Sequence, residues 1–264
     1  MKRISIGLSF VHGKLERSKM KQYNYNKLAE YYDILELKGS TNYEKCNNFL
    51  SKIFKKNKVK TVLDMTCGTG AQSIGLARKG YKVTASDISK GMLNVAKKKA
   101  DNLKIKFCHG DIRTSKYGKF DAGISIFNAI GHLTKKDFKK ALKNVSSNLK
   151  DNGLFIFDIF NLDFMSKNFK YYEFIDTALE HNNTKFVRFN KNNFDINKGI
   201  MRINQKVFIQ KSFDKPRVLN EKWDMQIYAF KELKELLKEN SFKIEAVYGG
   251  PWKKFDKNKP CPKS

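Results

Sequence analysis

The chain has 264 residues and a formal net charge of +27, long enough for one large domain or a domain carrying an insertion. Its basic residues are 46 Lys against 7 Arg, alongside 24 Asn; a face built to grip nucleic acid favours Arg for bidentate contacts, so this charge speaks first to composition and solubility. Four cysteines (Cys46, Cys67, Cys108, Cys261) lie far apart with no CxxC and no nearby histidine set, which argues against a disulfide framework or zinc site. No apolar run approaches the roughly 18–20 residues of a membrane span. A cytoplasmic protein without a metal is expected.

Residues 1–20 carry no clear periodic pattern, and 1–22 are expected to be an unordered extension. The apolar run after Met1-Lys2-Arg3 is short and lacks the small-residue cleavage site of a signal peptide. From Tyr23 the text becomes aromatic and helical (YNYNKLAEYYDILELKG), with Leu28, Tyr31, Tyr32 and Leu35 on one face able to close over a pocket. A second helix is expected from Tyr43 to Phe54. Next comes VLDMTCGTGAQSIGLARKGYKVTASD, residues 62–87. It predicts a strand ending at Asp64, a tight Gly68-Thr69-Gly70 turn, a helix from Ala71 to Arg78, and a second strand ending at Asp87. The two glycines let the backbone turn sharply and approach a ligand. Asp87 is placed to accept hydrogen bonds from the two hydroxyls of a ribose. The third glycine of a dinucleotide fingerprint is absent, with Ser73 in its place, and no Walker lysine follows. Asp64 at the strand tip would repel a pyrophosphate but would suit a cationic amino-acid head.

Ser89 reads as the cap of a helix over 91–100. A third strand follows at 105–110, a fourth at 120–127, a helix at 135–149 and a fifth strand at 153–160. Such alternation predicts an α/β fold, a doubly wound, mostly parallel sheet with helices on both faces. Ligands bind outside the carboxyl ends of such strands, where Asp64, Asp87, Asp111, Asn128 and Asp158 converge. From Leu162 the alternation stops. Residues 186–189, 200–209 and 223–228 alternate apolar and polar, predicting inserted antiparallel strands whose Phe208, Trp223 and Tyr228 could line a pocket. A helix at 231–238 and a strand at 243–248 return to the parallel pattern. The expected plan is therefore an extension (1–22), a helical cap (23–57), a nucleotide-binding core (58–161), an inserted β lid (162–229), the last core elements (230–250) and a tail (251–264).

The 62–87 run resembles the cofactor motif of class I S-adenosylmethionine-dependent methyltransferases, with Thr66 where many members carry Gly or Ala. The following NAIGHL segment, and the stretch from CGTG to GML, are similar to glycine/sarcosine N-methyltransferases. The resemblance spans roughly residues 23–249 and implies a Rossmann-like methyltransferase fold with S-adenosyl-L-methionine as cofactor. It implies that Asp64, Thr66, Cys67, Gly68 and Gly70 surround the methionine part and that Asp87 holds the ribose. Met92, Asp111 and Ile112 would meet the adenine, with Ile88 and Ile126 also among the cofactor contacts. Asn128 would face the acceptor, with Tyr32, Trp223 and Tyr228 around it. His132 could polarise or deprotonate that acceptor. Phe160 stands where this group has an arginine for the substrate carboxylate, so glycine itself is not the expected acceptor. The antiparallel seventh strand of such sheets is expected to be missing, because no apolar run remains after Tyr248. The expected reaction is in-line methyl transfer to a small-molecule N or O acceptor. An RNA- or protein-directed methyltransferase and a non-catalytic S-adenosylmethionine-binding protein remain open.

Overall fold

The computed structural model describes residues 2–8, 20–37, 43–163, 165, 171–249 and 253–254. The main sheet uses β1 (Lys2–Leu8), β2 (Thr61–Asp64), β3 (Lys82–Asp87), β4 (Lys106–His109), β5 (Phe120–Ser125), β6 (Leu149–Ile159), β11 (Phe242–Gly249) and the two-residue β12 (Lys253–Lys254). Their spatial order is β12-β11-β1-β6-β5-β2-β3-β4, parallel throughout except for β12. The helices are α1 (Tyr32–Leu37), α2 (Tyr43–Lys56), α3 (Ala71–Arg78), α4 (Lys90–Ala100), α5 (Lys135–Ser147) and α6 (Phe230–Glu239).

Parallel strands covered on both faces must be apolar on both. In β6, Phe155 and Phe157 join Phe138, Leu142 and Leu233 on one side, while Leu154 and Ile156 join Leu50, Phe54 and Leu76 on the other. In β2, Leu63 and Val62 divide in the same way. This two-sided packing fixes where the strand ends, and hence the site, must lie.

The chain's first residues correct the expectation of an unordered extension and of a missing strand. Residues 2–8 form β1, which runs parallel between β6 and β11, pairing Arg3 with Leu154 and Lys2 with Phe242. Ile4 is fully buried in the core. Lys2 Nζ donates to the Leu149 carbonyl at 2.9 Å, and Arg3 Nη1 to Asn57 Oδ1 at 2.8 Å. The place beside β11 left open by the sequence is therefore filled from the N-terminus. KRISIGL does alternate, but its partners, from Leu154 and from Phe242 onward, lie far along the chain.

Between β6 and α6 the chain builds a second, antiparallel sheet in the order β10-β9-β8-β7, from β7 (Tyr171–His181), β8 (Thr184–Asp195), β9 (Ile200–Lys211) and β10 (Arg217–Gln226). β7 was not anticipated. Along β9, Met201, Ile203, Val207 and Ile209 are buried on one face; Phe208 lies on the other, edge-on to Phe189 at 5.7 Å. The buried face carries residues 20–37. Leu28 and Leu35 pack with Phe186, Val207, Ile209 and Leu219, and Tyr23 lies 4.4 Å from the Trp223 ring. Arg188, 9% exposed, pairs with Glu36 at 2.6 Å and with Asp176, so it pins α1 to the small sheet.

Candidate active site

The Gly-rich turn after β2 needs two left-handed residues, Gly68 (φ +53°) and Gly70 (φ +85°). A Cβ on Gly68 would point into open space, so the loop presents bare backbone there; one on Gly70 would come within 3.1 Å of Ala96. Asp87, at the end of β3, fixes this loop. Gly68 N donates to its Oδ2 and Ser89 N to its Oδ1, both at 2.8 Å. Each oxygen keeps a free lone pair, so two adjacent hydroxyls can still be accepted. Burial raises the Asp87 carboxyl above its ordinary range, against those backbone bonds. Ser89 Oγ in turn caps α4 by accepting from Met92 N at 3.2 Å.

Asp64 lies behind the loop and is 2% exposed. Ser73 Oγ donates to its Oδ2 at 2.7 Å, which gives a use to the residue standing where a third glycine was absent. Burial pushes Asp64 up to about 7. Beyond β4, Asp111 is held by Arg113, with Nε 2.9 Å from Oδ1 and Nη2 2.5 Å from Oδ2. Burial raises the Asp111 carboxyl, but the Arg113 bonds outweigh it and hold the group below its ordinary value. Arg113 also reaches Asp137 at 3.4 Å.

These strand ends open onto a cavity of about 730 Å³. Of the cofactor residues expected from the sequence, Thr66, Cys67, Gly68, Asp87, Met92, Asp111, Ile112 and Ile126 line it, as does Ile88, 61% exposed. Asp64 and Gly70 are not on its wall; they shape the loop from behind. The opposite wall is the cap. Asn26 Oδ1 accepts from Gly91 N and Ser89 Oγ, both at 2.8 Å. Asp33 accepts from Thr69 Oγ1 at 2.6 Å and from Lys99 Nζ at 2.5 Å. The cap is thus latched to the Gly-rich loop and to the start of α4.

At the other end stand Tyr25, Tyr32, Tyr43, Phe127 and His132. Tyr25 Oη lies 2.8 Å from His132 Nε2, and its ring is 6.0 Å from Tyr32. Burial lowers His132 to about 4, so its ring is neutral near pH 7, and a basic role there is disfavoured. Asn128 corrects its expected place facing an acceptor. It is 6% exposed and off the cavity wall, with Oδ1 accepting from Phe160 N at 3.0 Å and Nδ2 3.7 Å from Met225 Sδ. Phe127 and Asn128 are both left-handed (φ +63° and +54°), and Asp158 Oδ1 receives the Asn128 N–H at 3.0 Å. Asn128 therefore secures the turn that presents Phe127. Trp223 and Tyr228 also miss the wall. Trp223 is covered by Tyr23, and Tyr228 is fully buried against Phe138 at 5.6 Å. The cap occupies the face of the small sheet that an acceptor was expected to touch. Tyr25, Tyr43, Asn26, Asp33 and Arg113 went unremarked in the sequence; the Tyr-Asn repeat before α1 was the available signal.

A parallel sheet with ligand-facing strand ends, a bare Gly68 backbone and a strand-end carboxylate with spare lone pairs defines a ribose-nucleotide-binding α/β protein. The residues present fit S-adenosylmethionine: Asp87 for the ribose hydroxyls, Met92 and Ile112 as apolar wall, Gly68 as backbone without a side chain in the way. Residues 62–153 match the family model described as a methyltransferase domain. The chain is 35% identical over 126 residues to a glycine/sarcosine N-methyltransferase of Parasynechococcus marenigrum, covering 44% of this chain and 43% of that one. It is 31% identical over 134 residues to the human glycine N-methyltransferase, covering 44% and 45%. The chain thus spans less than half the length of these two curated relatives. A solved S-adenosylmethionine-dependent methyltransferase from Clostridium acetobutylicum superposes with a TM-score of 0.74 at 25% identity, covering 89% of this chain and 94% of that one. Residues 62–153 thus match a methyltransferase domain, and the chain shares the fold of a solved S-adenosylmethionine-dependent methyltransferase. No helix among the described residues is long and apolar enough to cross a membrane.

Proposed function

We propose that the protein transfers a methyl group from S-adenosylmethionine to a small-molecule acceptor. The observation that carries this is the continuity of the cavity, which runs from Gly68 and Asp87 to the Tyr25–His132 pair beneath the cap. S-adenosylmethionine would supply a methyl group activated by its sulfonium. The chain's own part is positioning, a contribution that can reach roughly 7–11 kcal/mol. Asp87 and the Gly68 loop orient the nucleoside end. The cap, latched through Asn26 and Asp33, excludes water from the reacting end. The glycine/sarcosine and glycine N-methyltransferases that the chain resembles are, by name, enzymes of small molecules, which supports the same class of acceptor here.

Calorimetry of the full chain with S-adenosylmethionine and its demethylated product tests this reading. Micromolar binding is expected in the wild type, with affinity at least about 100-fold weaker in Asp87→Ala, since a charged pair of hydrogen bonds is lost. A folded wild type that takes up neither compound would overturn it.

A further inference from the structure

We infer that the acceptor is a small amine without a carboxylate, its N–H received by Tyr25 Oη. This rests on the methyl-transfer reading and narrows it. Tyr25 Oη and His132 Nε2 stand 2.8 Å apart on the cavity wall. A phenolic O–H is the stronger donor and an unprotonated imidazole nitrogen the stronger acceptor, so the single Tyr25 proton goes to His132. Tyr25 is left presenting oxygen lone pairs, and its bond to His132 strengthens them as acceptors. The site therefore selects an acceptor that brings a proton, an N–H or an O–H.

Nitrogen is favoured over oxygen by what surrounds the pair. A hydroxyl acceptor must surrender its proton to a base as it is alkylated. His132 Nε2 is already engaged and is held at about 4 by burial. The carboxylates on the wall are also engaged: Asp87 by two backbone N–H groups and, in the methyl-transfer reading, by the ribose hydroxyls, and Asp111 and Asp137 by Arg113. An amine that enters unprotonated needs no such base. Its lone pair forms the N–C bond while the C–S bond breaks with its electron pair on sulfur, and the resulting ammonium releases its proton to water. During transfer, positive charge grows on nitrogen. Its N–H then binds Tyr25 Oη more strongly, and the rings of Tyr25, Tyr32 and Tyr43 on the same wall favour the cation.

A carboxylate on the acceptor would find no counter-charge. Among the described residues lining the cavity, Arg113 carries the only permanent positive charge, and Asp111 and Asp137 hold it. Phe160, standing where relatives were expected to place an arginine, is 37% exposed and off the wall. Despite the net charge of +27, the ionised groups on the cavity wall are mainly carboxylates, an unfavourable setting for an anion.

The test is mass-spectrometric methyl transfer to benzylamine, 2-aminoethanol and glucosamine, against glycine, sarcosine and catechol, for wild type and Tyr25→Phe. S-adenosylmethionine affinity is measured in parallel by calorimetry. At least one of the carboxylate-free amines is expected to be methylated at least 100-fold faster than glycine, sarcosine or catechol. Tyr25→Phe is expected to lower kcat/KM for that amine about tenfold or more, the loss of one hydrogen bond to a developing charge, while leaving cofactor affinity within twofold. In ¹⁵N NMR, His132 Nε2 should be the unprotonated nitrogen. A preferred carboxylate-bearing or hydroxyl acceptor, unchanged kinetics in Tyr25→Phe, a protonated Nε2, or cofactor binding without transfer to any of the three amines would overturn the inference and leave the methyltransferase reading standing. Absence of cofactor binding in the folded wild type would overturn both.

Discussion

The two ends of the cavity are built by different means. The cofactor end is made of backbone: glycines in left-handed turns, a helix cap, and carboxylates at strand ends, all within residues 62–113. The proposed acceptor end is made of side chains distant in sequence: Tyr25, Tyr32 and Tyr43, and Phe127 and His132 after β5. The first kind of site comes with the parallel sheet. The second exists only once the cap has docked on the small sheet, so it can vary while the fold stays constant. A shared donor and divergent acceptors follow naturally from that division.

The largest expected effect strikes the scaffold common to both ends. Removing residues 2–8, or substituting Ile4→Asp, exposes the paired edges of β6 and β11 or buries a charge in the core. Either should cost more than about 4 kcal/mol and yield aggregated protein, read by denaturant unfolding and light scattering. A stable, cofactor-binding truncation would mean that β1 is dispensable.

Arg188→Met should separate the two ends. It leaves Glu36 and Asp176 facing each other, with a loss of roughly 2–4 kcal/mol; this is below the cost for a fully buried pair because the carboxylates are about a quarter exposed. With α1 released from the small sheet, acceptor KM should rise several-fold more than the S-adenosylmethionine Kd. Equal changes in both would show that the cap serves the two ends alike.

Titration should distinguish the ends by sign. His132, lowered from 6.5 to about 4 by burial, binds its proton more readily in the unfolded chain. Its contribution is complete above about pH 6.5 and is lost as pH falls toward 4. Asp64, raised from 3.8 to about 7 by burial, keeps its proton in the folded chain, so its contribution is complete below about pH 4 and is lost as pH rises through 7. The two slopes oppose each other in the wild type. Melting temperatures between pH 4 and 8 should therefore fall more steeply with rising pH in His132→Asn and less steeply in Asp64→Asn. Parallel curves for both variants would contradict the assignment.

The smallest effect is expected at the latch. Thr69→Val removes one hydrogen bond to Asp33 while Lys99 still holds that carboxylate. Cofactor affinity should weaken by about 0.5–1.5 kcal/mol, measurable by calorimetry.

The same division explains what the sequence disclosed. Gly68, Gly70, the Ser89 cap and Asp87 act over a few residues, through turn and cap chemistry that is local, and each was legible. The helix over 71–78 was read to its observed bounds. β1 was not legible, because its strand pattern is short and its partners begin at residues 154 and 242. β7 was hidden for a related reason: its alternation in YYEFIDTALEH is interrupted where the register shifts between Ile175 and Thr177. Trp223 and Tyr228 were expected to line the acceptor pocket, but periodicity cannot say what an inward face meets. Here it meets Tyr23 and Phe138. Asn128 was noticed for its position at a strand end; its work there is to hold a strained turn.

β1 also sets a timetable for the chain as it is made. Within this sequence it precedes every other described strand, yet it pairs with β6 and β11, and the Lys2–Phe242 register cannot form until Phe242 has been synthesised. Closing so long a loop is entropically slow, and unpaired strands awaiting it are prone to wrong pairings. The middle of the sheet is therefore completed last, after the cofactor loops around Gly68 and Asp87 have had the chance to fold. A nascent chain can hold a half-built nucleotide site long before its centre closes.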